Sequence, residues 1–429
     1  MAASAAQRGS PVELERASPQ AVQALYAAAD RGGLVELPPG LYVLPRTLVL
    51  KARTRLQGAG RGVTVLQLGP GVNANLLETE RFAQLQGTTN LAQAPADITV
   101  LDLSLDGNFL SSKWTDPARQ VLNERGSCLA LYGRRLHVDV EASNCAEHLL
   151  YTEGQGARAS EEVSSQFRLD GMVAGEECVV FRGAGDSRLE HLGAGVCGAK
   201  RMQPSTSGQR SRWYPQEPGF DGLVLERQTP YEGTVEIGFA HVFGAFSGWG
   251  VRTRGNARVH AKHLISESSL GGVLVDKLTW GAISLLDVHS NGKSMGFKPT
   301  PAPRAALRVE SEVGFSVAHG TLFRTVGSAE GFTAAELAGK AGQFNLVLLN
   351  SKNPQTGEDH QGEGVWLSGE GNLVRLSGTR QAGVGVRITG NANRVESLLD
   401  APLADEGRGN LVQSIGSGDA ARRAEPALR

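Results

Sequence analysis

Three carboxylates open successive copies of one short phrase in this chain: Glu147, Glu177 and Asp221. If the phrases stack one above another, neighbouring carboxylates stand ~5 Å apart and the outer two ~10 Å apart. Like charges that close do not all ionise comfortably unless a cation sits between them. The same arrangement sets a general acid beside a base or nucleophile. Glycoside cleavage needs such a pair, ~5–5.5 Å apart for retention and ~6.5–9.5 Å for inversion. Glu177 and Asp221 are therefore the expected acid and base or nucleophile, with Glu147 tuning them.

Directly before Asp221 lies an unusual loop, running from Lys200 through Arg210, Arg212, Trp213 and Tyr214 to Pro218. Trp213 and Tyr214 offer flat faces to sugar rings, and the two arginines suit the carboxylates of an acidic sugar. Glu232 and Trp249 complete the expected binding set. His148 follows Glu147 in its phrase. The histidines at 137, 191, 241, 260, 263, 289, 319 and 360 read as structural groups at strand edges or in loops.

The phrase itself positions these residues. It runs turn residue, small residue, hydrophobic, any, hydrophobic, any, and starts at Ser127, Glu147, Glu177, Asp221, Trp249, Gly271, Ala305, Glu363 and Val384. Period-two alternation within it means strand, and its return every twenty or more residues means a solenoid. The third and fifth residues point inward, as in Leu149/Tyr151, Val179/Phe181, Leu223/Leu225, Val251/Thr253, Val273/Val275, Leu307/Val309, Val365/Leu367 and Val386/Ile388. Outward fourth residues are apolar at Leu150, Val180 and Val224, a ridge that needs a loop or another subunit over it. The sixth residues, Arg182, Glu226, Arg254 and Asp276, predict a ladder of surface pairs.

Before the coils, Ser18 and Pro19 make an N-cap and a first helical residue. Val22, Leu25, Tyr26 and Ala29 share a face, and Gly32-Gly33 stops the helix. It is a lid for the open end of the solenoid. Residues 1–17 and 416–429 read as flexible and disordered tails around a solenoid spanning 18–415. Loop insertions, the largest at 71–97, 109–125 and 198–220, should gather on one side and build a binding surface.

Several classes are excluded. Lys plus Arg total 43 against 44 for Asp plus Glu, so nucleic acid is not an expected partner. No apolar run approaches the ~20 residues of a membrane span, and the start lacks a hydrophobic signal core. The protein is then virion-associated, cytoplasmic, or secreted with a signal already removed. Gly58-Ala59-Gly60-Arg61-Gly62 runs into strand, not helix, and is no phosphate loop. Cys128, Cys145, Cys178 and Cys197 lack metal-ligand spacing. Cys128 and Cys178 share a phrase position two coils apart, roughly 10 Å, so four buried thiols in a stacked column are expected.

The helix, the run Gly32 to Tyr42 (Gly-Gly-Leu-Val-Glu-Leu-Pro-Pro-Gly-Leu-Tyr), Leu56 to Gly60 and Ile98 to Asn108 together resemble the pectate-lyase-like superfamily. Those proteins are right-handed parallel β-helices and include polygalacturonases, pectate lyases, alginate epimerases, fructotransferases and phage tailspikes. Within the coils, Glu176-Glu177-Cys178 and Phe220-Asp221-Gly222 resemble the Asp-Asp-Cys and Asp-Gly motifs of polygalacturonases. Their order differs, and Gly248-Trp249-Gly250 stands where the histidine motif falls. Asp221-Gly222 followed by Glu232-Gly233 resembles the fructotransferases. The resemblance implies a carbohydrate-active enzyme, hydrolase or lyase, with no metal assigned unless lyase chemistry brings Ca²⁺. It also implies an alternative, a tailspike-like homotrimer that binds glycan without catalysis.

Overall fold

The structure is a computed structural model. It describes residues 14–414 apart from 89–90, 115, 117, 155–164, 183–186, 205–212, 216–218, 227–233, 246–247, 268, 270, 290–304, 325–332, 351–363, 379–384 and 400–401. The N-terminal helix is Pro19–Arg31, with Ser18 Oγ accepting the Ala21 N–H at 3.2 Å. Gly32 ends it at φ 72°. Its buried residues are Val22, Leu25, Tyr26 and Ala29, the face read from the sequence, and they join the core of the first coil.

Beyond the helix the chain winds into two stacks of parallel strands. One is a 16-stranded sheet of mostly long strands, the other a 13-stranded sheet of short ones, and each coil contributes to both. Val179 faces Leu223, which faces Val251, which faces Val273, then Leu307, Ala335, Val365 and Val386. These and the residues two further on, Thr253 excepted, belong to one continuous apolar core running from Val22 to Leu399. The core explains the alternation: a side chain on the inner face has nowhere to go except into the stack above and below it.

The register corrects one phrase. Leu150, not Leu149, pairs with Val179, and Thr152 pairs with Phe181. In that coil the inward pair is Leu150/Thr152, and Tyr151 takes the outward place beside Val180 and Val224. The ridge is covered within the chain. Tyr151, Val180 and Val224 form a buried cluster with Ala130, Tyr132, Ala94 and the short helix residues Phe82 and Leu85. A second subunit is not needed to shield it.

The cysteines also depart from expectation. They pair within coils, Cys128 with Cys145 and Cys178 with Cys197, with Cα separations of 5.5 and 5.1 Å. Cysteines that share a column two coils apart stay too far apart to bond, but those on one coil do not. Each real bond joins the start of a short strand to the end of the following long one, which the winding brings back to the same corner.

At the opposite corner of the last coils, Asn372, Asn393 and Asn410 form a ladder. Asn393 Nδ2 donates to Gly369 O at 2.9 Å, and its Oδ1 accepts the Asn372 N–H at 2.9 Å. Asn372 and Asn393 are buried. Asn393→Ala strands a buried carbonyl and a buried amide, so a loss of roughly 3 kcal/mol is expected in urea denaturation. A change below about 0.5 kcal/mol, the size of an ordinary surface substitution, would contradict this role.

Candidate active site

The candidate site lies at the corner where long strands hand over to short ones. The described residues of the insertion 107–127 and those directly after Cys197 both belong to this handover. By the register, Asp221 stands opposite Glu177, and His148 rather than Glu147 stands opposite Glu177 on the other side. Glu147 lies one step back, its carbonyl accepting the Glu176 N–H at 3.0 Å. The stack is thus imidazole, carboxylate, carboxylate, indole: His148, Glu177, Asp221, Trp249.

A cation separates the two acids. Arg254 Nη2 lies 3.5 Å from Glu177 Oε1 and 3.1 Å from Asp221 Oδ2. Sharing one nitrogen at those lengths keeps the two oxygens inside the ~9.5 Å limit of an inverting pair. Arg252 Nη1 lies 3.4 Å from Asp221 Oδ2, and the Trp249 N–H donates to Asp221 Oδ1 at 2.8 Å. Asp221 is sealed, at 3 % side-chain exposure, whereas Glu177 keeps 14 % and the two arginines 35–40 %. Asp221 therefore anchors the guanidinium groups, and Glu177 is the more exposed of the two acids.

His148 flanks Glu177. Its Nδ1 lies 2.8 Å from the Glu177 carbonyl oxygen and 3.9 Å from Oε2. A carbonyl only accepts, so Nδ1 carries a proton and donates it there. Glu176 Oε1 pairs with Lys200 Nζ at 2.8 Å. His148, Glu176 and Glu177 bring ligand atoms within 4.8 Å of one another. Ca²⁺ takes about six to eight oxygen ligands, and an imidazole with two carboxylates already paired to Lys200 and Arg254 suits it poorly.

Trp249 packs against the coil above. A Cβ on Gly271, its register partner, would lie 2.4 Å from the indole, so glycine is what lets the ring settle there. Arg210, Arg212 and Glu232 lie outside the described residues. Trp213 and Tyr214 belong to a two-stranded hairpin, 202–204 with 213–215, whose side chains are likewise outside them. Of the sixth-position ladder, Arg182 pairs with Glu226 at 3.6 Å, Arg254 turns to the acids, and Asp276 accepts the Gly255 N–H at 2.9 Å.

The sequence reading missed a second set of polar groups, on the outer face of the long sheet. His191 Nε2 lies 2.8 Å from Asp170 Oδ1 and His263 Nε2 lies 2.9 Å from Asp287 Oδ2. Between them the Phe239 ring stacks on His191 and meets His263 edge-on, both at 5.4 Å. These histidines are mid-strand, not at edges. The ladder there skips one residue per strand, so Glu190-His191 and Lys262-His263 both face outward. An in-out-out-in pattern breaks the period of two. That interruption, recurring at Gly238-Phe239 and Ser284-Leu285, was the available signal.

The ladders define the class: a parallel β-helix, in which each coil adds one strand to each stack. No family model matches the chain, and no curated protein matches it. Among solved structures it is similar to the Azotobacter vinelandii mannuronan C-5 epimerase AlgE6 A-module, at 15 % identity and TM-score 0.39, over 95 % of this chain and 97 % of that one. It is similar to the pre-mature bacteriophage phi29 gene product 12 at 15 % identity and TM-score 0.38, over 93 % of this chain and 55 % of that one. The Streptococcus pneumoniae surface protein and adhesin PfbA follows at 12 % identity and TM-score 0.36, over 92 % and 96 %. At these values the likeness concerns the fold alone.

Proposed function

We propose that this β-helix is a carbohydrate-active enzyme that cleaves a polysaccharide or oligosaccharide by acid–base chemistry at the handover corner. Glu177 is the proton-transferring carboxylate, and His148 Nε2 is the second proton carrier. Asp221 holds Arg252 and Arg254, whose partly exposed guanidinium groups meet the sugar, and Trp249 contributes an apolar face. The observation that carries this reading is the convergence of Glu177 and Asp221, on adjacent coils, upon Arg254 beside His148. A purely structural corner has no need of a partly exposed acid that shares its arginine with a sealed one.

The test is a panel of neutral and acidic glycans, followed by reducing-end release and by ultraviolet absorbance from unsaturated ends. Reducing ends without absorbance mean hydrolysis; both together mean elimination. Turnover by wild type and its loss in Glu177→Gln support the reading. A folded wild-type protein that turns over nothing on the panel, or a Glu177→Gln protein equal to wild type, sinks it and leaves the glycan-binding, tailspike-like reading. Because the donor set suits Ca²⁺ poorly, EDTA treatment is expected to leave turnover unchanged. Activity that vanishes in chelator and returns with Ca²⁺ would overturn that part.

A further inference from the structure

Glu153 is a carboxylic acid with 0 % exposure that the proposed chemistry does not use. Its Oε1 accepts the Gly87 N–H at 2.7 Å, and its Oε2 accepts the Tyr151 hydroxyl at 2.9 Å. Gly87 belongs to the segment 81–88, which lies on the outer face of the short sheet. Phe82 meets the Tyr151 ring edge-on at 5.8 Å, and Tyr132 donates its hydroxyl to Thr88 O at 3.2 Å. Beneath the segment lies an apolar floor of Ala130, Tyr132, Tyr151, Val180 and Val224. Arg182 Nη1 donates to the Tyr151 hydroxyl at 3.4 Å and its Nε lies 3.6 Å from Glu226. The His148 ring sits 5.7 Å from that of Tyr151, so the floor adjoins the candidate active site.

We infer that residues 81–88 form a strap, latched by the buried Glu153 carboxyl, that opens as pH rises and uncovers the aromatic floor beside His148. A neutral carboxyl tolerates this enclosure, while an ionised one loses the water that would otherwise solvate its charge. Among the described residues, the charged and titratable groups around it include Tyr151 on its own strand, Tyr132 below, and Arg182 and Glu226 above. Arg182 favours the ionised form and Glu226 opposes it, so a pair already bonded to each other leaves burial in control. Burial accordingly raises the Glu153 pKa. A carboxyl with a higher pKa when covered binds more protons in the closed state, so closure weakens as pH climbs through that range.

The experiment is hydrogen exchange of peptides covering 81–88 at pH 5 and pH 8, corrected for intrinsic exchange, on wild type and Glu153→Gln. Wild type is expected to lose protection at least tenfold on going to pH 8, and Glu153→Gln to stay protected at both values. Should Glu153→Gln fail to fold, Tyr151→Phe serves: losing one latch donor, it is expected to open more than wild type at pH 5. Equal protection of wild type at both pH values, or the same pH response in Glu153→Gln, would overturn the inference. A strap in Tyr151→Phe as closed as in wild type would do the same.

Discussion

Glu177→Gln is expected to lower glycan turnover by about 10²–10⁴-fold while leaving the melting curve near that of the parent. The amide keeps the shape of the side chain but neither gives nor takes a proton. Arg254 retains Asp221 at 3.1 Å, so the corner keeps its main ion pair. The Glu177–Arg254 contact is longer, at 3.5 Å, and its arginine is 35 % exposed, which limits its contribution to well under about 1 kcal/mol. Asp221→Asn should behave differently. Removing a sealed anion that three donors share weakens the hold on both arginines, costing about 2 kcal/mol of stability together with turnover. Steady-state rates and denaturant midpoints measured on both variants separate the roles. An Asp221→Asn protein as stable as wild type would show that the acid does not anchor the corner.

The second large effect concerns the disulfides. Cys128–Cys145 and Cys178–Cys197 close loops of 17 and 19 residues, and for loops of this length the chain-entropy term is roughly 3 kcal/mol each. Replacing either pair with alanine is expected to shift urea unfolding by that amount. The consequences for activity should differ. Cys178 follows Glu177 directly, and Cys197 lies three residues before Lys200, the partner of Glu176. Loss of the Cys178–Cys197 pair should therefore lower turnover more than loss of the Cys128–Cys145 pair. Equal stability of both double-alanine variants and wild type, or free thiols titrating in the unfolded, unreduced protein, would remove the staples from the account. Disulfides persist in oxidising surroundings, so folding yield should fall in a reducing buffer.

Local chemistry made some of this protein legible in its residues alone. The capped helix was readable because Ser18, Pro19 and Gly32 act on backbone groups within a turn or so. The coil rhythm was readable because alternation expresses burial on one face of each strand. Glu177 and Asp221 as vertical neighbours followed from that rhythm. The reading slipped where the local pattern was degenerate: Glu147-His148-Leu149-Leu150 fits the phrase in two registers, and only pairing with Val179 chose between them.

What the tertiary structure decided is whatever depends on distances between coils and on side chains crossing them. Arg254 is 77 residues from Glu177, and nothing in either neighbourhood announces that one guanidinium joins it to Asp221. The disulfides follow the return of the chain to a single corner, a property of the path and not of any column. The His191–Phe239–His263 row depends on a shared interruption of the ladder that reverses which residues face water. Periodicity reports inside and outside along one strand, whereas partners are chosen across the stack, where sequence separation carries no information about distance.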